Sequence, residues 1–154
     1  MYDVILLIHS YLRWLVLLSL LYAIGRAAHG WLSNRTYGRA DATTRVLTTT
    51  ISHTQLLVGM TLYFVSPIIA YFLANPRQGL STPAISFFAV QHMLTMLVAI
   101  TVMTIGSSLA KRADSDRRKF RLTTIYFGLA LVLILSAVPW PFLESAARPW
   151  FRSF

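Results

Sequence analysis

The chain has 154 residues, of which 56% are hydrophobic and only 12% are charged, and its formal net charge at pH 7 is +9. The charged fraction is about half of the ~25% of a soluble domain, so we expect a single membrane domain, residues 1–154, without a soluble part to house an ordinary active site. The chain has no cysteine, which excludes disulfides and thiolate metal sites.

Four apolar blocks follow one another along the chain, and we predict helices at residues 4–24, 46–73, 85–105 and 122–143. The first block contains one charged residue, Arg13, and the other three contain no Asp, Glu, Lys or Arg. A bilayer core requires about 20 helical residues, and a helix satisfies its own backbone hydrogen bonds in lipid. The predicted fold class is therefore an all-α membrane protein with four transmembrane helices. Short loops favour an up-down-up-down antiparallel bundle.

The basic residues predict the orientation of this bundle. Ten of the fourteen lie in two predicted loops, residues 25–45 and 107–121, whereas the second loop contains only Arg77. Under the positive-inside rule, the first and third loops are cytoplasmic and both termini face outward. Basic residues beside membrane segments meet anionic lipid, so we expect membrane lipid and no nucleic acid as a partner.

Proline and glycine mark the expected irregularities. Ser66-Pro67 should kink or end the second helix, and Pro139-Trp140-Pro141-Phe142 should close the fourth. Gly59 and Gly128 lie inside predicted helices and Gly106 directly follows the third, and small residues at such positions commonly permit close helix contact.

Polar side chains within apolar blocks are costly in lipid and therefore mark candidate functional residues. The set inside the predicted helices is His9, Arg13, His53, Gln55, Gln91 and His92. A further histidine, His29, lies just past the first predicted helix. Gln91 points about 100° away from its neighbour His92, and we expect it to form hydrogen bonds.

His9 and His92 form the predicted cofactor site. They lie five and seven residues into their blocks, on two helices that both run inward, so their depths in the outer leaflet are similar. First and third helices are diagonal neighbours in such a bundle, so the two imidazoles can hold a haem iron between them. A lone histidine in a membrane helix is more often an interhelical hydrogen-bond partner than a ligand, so the ligand prediction depends on the pair.

Arg13 lies one turn after His9 on the same face, and its side chain leans outward, where a haem propionate would be a fitting partner. Snorkelling to lipid headgroups, or pairing with Asp3 or Glu144, explains this arginine equally well. His53 belongs to the inner half, where the fourth helix has no histidine. It could bind a second cofactor, join a polar network or pair with its copy in a homodimer.

Several segments together resemble a family of small four-helix membrane proteins of Bacteroidetes-type bacteria that are described as cytochrome b-like. They are His9-Ser10-x-x-Arg13-Trp14, His53-x-Gln55-Leu56-Leu57-x-Gly59, Leu62-Tyr63-Phe64, Phe87-Phe88-Ala89-Val90-Gln91-His92, Lys111-Arg112-Ala113 and Pro139-Trp140-Pro141-Phe142. The resemblance covers nearly the whole chain and marks His9, Arg13, His53 and His92. It implies glutamate where this chain has Gln91, which argues against a role that needs a carboxylate beside His92.

The leading hypothesis is a multi-pass protein of the bacterial cytoplasmic membrane that binds one or two haem b groups and transfers electrons, without catalysis by the chain alone. Its partners would be a membrane quinol and redox proteins. A second hypothesis is a cofactor-free accessory or scaffold subunit of a larger membrane complex. A third is direct binding of copper or zinc by His9 and His92, since imidazole suits both metals.

Overall fold

The computed structural model describes residues 1–144 and 146–151, and this part of the chain is helical, without β-strands. The helices are α1 (Tyr2–Leu32), α2 (Arg39–Val65), α3 (Pro67–Ala74), α4 (Pro76–Ser81), α5 (Pro83–Arg112) and α6 (Asp116–Ala137). Within α5, Phe87–His92 adopts π-helical geometry.

Three of these helices, α1, α5 and α6, are long and apolar enough to cross a membrane. α2 and α3 meet the same criterion only as a pair, and their axes are bent by 56° at Ser66. The all-helical class is thus confirmed, and three helices, or four spans if the bent pair counts as one, are long and apolar enough to cross a membrane. Pro67 explains the bend, because its ring removes a backbone donor and clashes with the preceding turn.

The long helices pack in a closed order. α1 packs against α2 and α6, and α5 packs against α6 and α2, so α1 and α5 face each other across the centre. Apolar side chains of α1, α5 and α6 form the core between them. They are Val16, Leu17, Leu20, Ala23, Ala99, Ile100, Met103, Phe127, Ala130 and Ile134.

Close contact between α5 and α6 depends on Gly106. A Cβ atom added there would lie 2.6 Å from Cγ of Tyr126, closer than any real carbon contact, so only glycine fits. The expectation of close contact is confirmed at this position. It is wrong at Gly128, where an added Cβ would meet nothing within 4 Å.

The first connection is much shorter than predicted, because α1 continues to Leu32 and α2 already begins at Arg39. His29 therefore lies in the last turn of α1 and not past its end. The length of an apolar block predicts only the part of a helix that lies in lipid. Beyond it, good helix formers such as Ala27 and Ala28 allow the same helix to continue into water. Asp41 links the two helix ends, because its Oδ1 forms an ion pair with Arg26, whose Nε is 2.7 Å away, and accepts a hydrogen bond from Arg35 Nη2 at 2.6 Å.

The fourth long helix ends earlier than predicted, at Ala137 and not at Leu143. Pro139 disfavours helical geometry at Val138 and cannot donate a helical hydrogen bond, which explains the stop. The following residues, 138–144 and 146–151, fold back onto α1, and we call them the C-terminal cover. The carbonyl of Trp150 accepts hydrogen bonds from Arg13 Nη2 at 2.8 Å and from Trp14 Nε1 at 3.2 Å.

Candidate functional site

A cavity of about 180 Å³ lies between α1, α2, α3, α5 and the C-terminal cover. Its wall is mainly apolar, with flexible thioethers from Met60, Met93 and Met96. Polar side chains also line it, namely Tyr2, His9, Ser10, Arg13, Ser52, Gln55, Tyr63, Ser66, His92 and Arg148. Among the described lining residues there is no Asp or Glu.

His92 reaches this cavity from the π-helical stretch of α5, of which it is the last residue. A π-helical turn contains an extra residue, which changes the direction of the side chains that follow, and such turns are frequent at functional sites. The Tyr63 hydroxyl donates to the Ala89 carbonyl at 3.1 Å and ties α2 to this stretch. His92 lies on the cavity wall, whereas its neighbour Gln91 is exposed, as expected for adjacent residues of a helix.

The tautomer of neutral His92 follows from its hydrogen bond. Its Nδ1 lies 2.7 Å from the carbonyl oxygen of Ala137, the last residue of α6. A carbonyl only accepts, so Nδ1 carries the proton and the Nε2 lone pair stays available. The carbonyls in the last turn of a helix lack helical partners, so the early end of α6 provides this acceptor. Metal-ligating histidines commonly donate their second ring nitrogen in this way.

His9 lies opposite, with its ring centroid 6.3 Å from that of His92 and the two planes at 76°. The ring rests on Gly59, where a Cβ atom would be 2.9 Å from its Cε1. Gln55 donates from Nε2 to the His9 backbone carbonyl at 2.9 Å, and the same nitrogen is 3.4 Å from His9 Nε2. Nδ1 of His9 is buried and has no hydrogen-bond partner within residues 1–144 and 146–151.

The remaining candidates lie elsewhere. Nε2 of His53 is 2.9 Å from Oγ1 of Thr104 on α5, and that hydroxyl donates to the Ile100 carbonyl at 2.7 Å. His53 therefore donates to Thr104 and belongs to a polar link between α2 and α5. His29 is exposed at the end of α1. The structure thus brings His9, Arg13, Gln55 and His92 to one cavity. The other three candidates, His29, His53 and Gln91, do not line it.

Arg148 is the charged lining residue that the sequence analysis missed. Its guanidinium lies 4.7 Å from the ring centroid of Phe88, which also lines the cavity. The residue follows the last predicted helix, and no sequence signal indicates that this segment returns to the cavity.

Comparison of the chain with protein-family models, with curated proteins and with solved structures finds no match. The functional argument therefore depends on the geometry of the cavity.

Proposed function

We propose that the chain is a four-span protein of the bacterial cytoplasmic membrane that binds haem b through His9 and His92 and transfers electrons. The observation that carries this proposal is the pair of imidazoles, from two helices that face each other across the centre, on the wall of one cavity. Cavities between the helices of a bundle are recurrent cofactor sites.

The proposed topology is an up-down-up-down antiparallel bundle with both termini outside. Two short connections, residues 33–38 and 113–115, join α1 to α2 and α5 to α6, as expected for neighbouring antiparallel helices. Basic residues crowd the helix ends that adjoin both connections, which supports a cytoplasmic location for these connections.

The ligand set favours haem over a bare copper or zinc ion. Among the described residues, no group of three or more His, Cys, Asp or Glu side chains could hold a metal ion. Zinc sites in proteins require three or four such ligands, whereas a haem iron receives most of its ligands from the porphyrin and needs only one or two from the protein. Two histidines without a third ligand match the second requirement.

Several groups at the cavity have a physical role in this proposal. The Ala137 carbonyl orients His92 and leaves its Nε2 as a ligand, while Gly59 lets His9 approach. The ring centroids of the two histidines are 6.3 Å apart, and the unbranched side chains of Met60, Met93 and Met96 can adapt to a bound macrocycle. A bound haem would supply one-electron oxidation and reduction at its iron.

The test is a reduced-minus-oxidised absorbance spectrum of the purified full-length protein, with a pyridine haemochrome assay on the same sample. We expect a Soret band and sharp α and β bands in the wild type and in His53→Ala, which lies outside the cavity. His9→Ala and His92→Ala should each lose the low-spin spectrum, because one axial ligand is missing. A wild-type sample that stays colourless after addition of haemin would refute the proposal.

A second candidate function, a cofactor-free subunit of a larger membrane complex, is favoured by one observation. Gln91 is exposed on the helix that carries His92, and an amide on a lipid-facing surface is costly unless another protein covers it. A colourless sample that forms a defined larger complex in native mass measurements would support this alternative.

A further inference from the structure

Gln55 of α2 contacts the cavity histidine of α1 at two points. Its Nε2 donates to the backbone carbonyl of His9 at 2.9 Å and lies 3.4 Å from Nε2 of the same residue. Both side chains line the cavity. A carbonyl oxygen only accepts, so the orientation of the carboxamide is determined: the atom beside His9 is the nitrogen and not the oxygen.

The orientation of this amide determines the tautomer of neutral His9. An amide nitrogen donates and does not accept. If Nε2 of His9 also carried a proton, two donors would face each other at 3.4 Å. The favourable arrangement therefore has the proton on Nδ1 and the Nε2 lone pair towards the amide. In water, neutral histidine favours the opposite tautomer, so the Nδ1–H form of His9 has to be imposed by its neighbour.

His92 has the same tautomer for a different reason, because its Nδ1 donates to the Ala137 carbonyl at 2.7 Å. The two rings, with centroids 6.3 Å apart, thus both keep the lone pair on Nε2. An acceptor at Nδ1 selects this form in His92, and a donor at Nε2 selects it in His9. His53, outside the cavity, has the opposite tautomer, since its Nε2 donates to Thr104.

We propose that Gln55 is a positioning residue for His9, whose carboxamide selects the Nδ1–H tautomer and keeps the Nε2 lone pair for a ligand. Coordination of that lone pair by iron rests on the proposed function, whereas the tautomer does not. A ligand there replaces only the longer of the two amide contacts, and the bond to the His9 carbonyl retains Gln55. Groups that orient metal-ligating histidines typically change metal affinity by about tenfold to a hundredfold.

The experiment reads the tautomers by nitrogen-15 NMR of the full-length protein, labelled at histidine and purified without added haemin. The chemical shift of a ring nitrogen distinguishes a protonated from an unprotonated atom, and alkaline pH keeps the rings neutral. The chain has four histidines, and His9→Ala identifies the signals of His9. We expect Nδ1–H for His9 and His92, with His53 as the internal reference for Nε2–H. A wild-type His9 that is mainly Nε2–H would overturn the proposal without any variant.

Gln55→Met removes the donor and retains an unbranched side chain of similar length. The Nε2–H form of His9 should then become the major one, while the tautomers of His92 and His53 stay as in the wild type. Haemin affinity, titrated at the Soret band, should fall about tenfold. If Gln55 served packing alone, the tautomer of His9 would not change.

Gln91→Met is the matched control, because it makes the same substitution at an exposed amide that does not line the cavity. It should leave all tautomers and the haemin affinity unchanged. An unchanged tautomer of His9 in Gln55→Met would overturn the positioning role. A change that extends to His92 and His53 would also overturn it, since the effect would then come from a disturbed bundle.

Failure of this proposal is distinguishable from failure of the haem proposal. If the tautomers of the wild type and of Gln55→Met are as expected but haemin produces no low-spin spectrum, the selection of the tautomer by Gln55 stands and haem ligation is refuted. If haemin produces that spectrum with equal affinity in both proteins, the haem proposal stands and the positioning role is refuted.

Discussion

At the scale of single residues, the two central histidines differ in how firmly they are held. His92 donates to a carbonyl at 2.7 Å, which sets both the direction of the ring and its tautomer. His9 is held mainly by packing on Gly59, with a long contact of 3.4 Å to Gln55. We therefore expect the position of His9 to respond to changes on α2, while His92 responds to changes at the end of α6.

Substitution of Gly59 by alanine tests the support of His9. The new Cβ would be 2.9 Å from Cε1 of His9, so the ring must move by a few tenths of an ångström. Because a ligand site depends on positions of this precision, we expect haemin affinity to fall about threefold to tenfold, or ~0.7–1.4 kcal/mol. Titration followed at the Soret band measures the affinity.

Gly128→Ala is the matched control, since its Cβ meets nothing within 4 Å and the same glycine-to-alanine change occurs in another long helix. Equal haemin affinities for the two variants and the wild type would contradict the proposed role of Gly59.

At the scale of elements, the site depends on irregularities in otherwise regular helices. The π-helical stretch of α5 directs His92 to the cavity, and the early end of α6 at Ala137 supplies its acceptor. The contact between these two helices is therefore part of the site as well as of the core. Gly106 permits this contact by leaving room for Tyr126.

Gly106→Ala should separate α5 from α6. Its Cβ would lie 2.6 Å from Cγ of Tyr126, and an overpacked core position of this kind costs about 1–3 kcal/mol of stability. We expect a lower midpoint of thermal unfolding in detergent for Gly106→Ala than for Gly128→Ala, which has the same composition but no collision. An equal midpoint for both variants would show that the interface tolerates the additional carbon.

At the scale of the whole molecule, polar interactions connect the helices at the end that carries the basic residues. Arg45 of α2 is 7% exposed and donates to the carbonyl and the hydroxyl of Ser107 on α5, at 2.8 and 2.6 Å. Asp41 forms ion pairs with both Arg26 and Arg35, so one carboxylate neutralises part of the charge of two guanidinium groups. The remaining positive charge is consistent with the proposed cytoplasmic location of this end, beside anionic lipid.

The absence of native cysteine permits a direct test of topology. Single cysteines at Thr36, Asn75 and Asp114 would occupy the three connections between the long helices. In intact cells, a membrane-impermeant maleimide should label only Asn75→Cys, because the other two connections are proposed to be cytoplasmic. Permeabilised cells supply the control, in which all three positions should react.

The same experiment distinguishes four spans from three. If α2 and α3 form a bent re-entrant pair and not one span, positions 36 and 75 lie on the same side of the membrane and should react alike. The reverse labelling pattern in intact cells would refute the proposed orientation.

Much of this architecture follows from the sequence alone, because lipid imposes a simple rule. Long apolar segments must become helices there, since only a helix satisfies its backbone internally. Local chemistry also determined the interruptions at Ser66-Pro67 and after Ala137, where proline removes a donor. Helix ends in water were predicted less well. No hydrocarbon boundary limits them, so α1 continues to Leu32 and includes His29.

The amino-acid sequence by itself determined the helical membrane class, the polar residues that lipid makes costly, and the similar positions of His9 and His92 in their helices. Only the tertiary structure decided that Arg148 lines the cavity, that His53 bonds to Thr104 instead, and that the Ala137 carbonyl orients His92. Helix formation depends on neighbours a few residues apart, which a sequence displays directly. Packing brings into contact residues that are more than a hundred positions apart in the sequence. Their proximity depends on the combined shapes of all the helices.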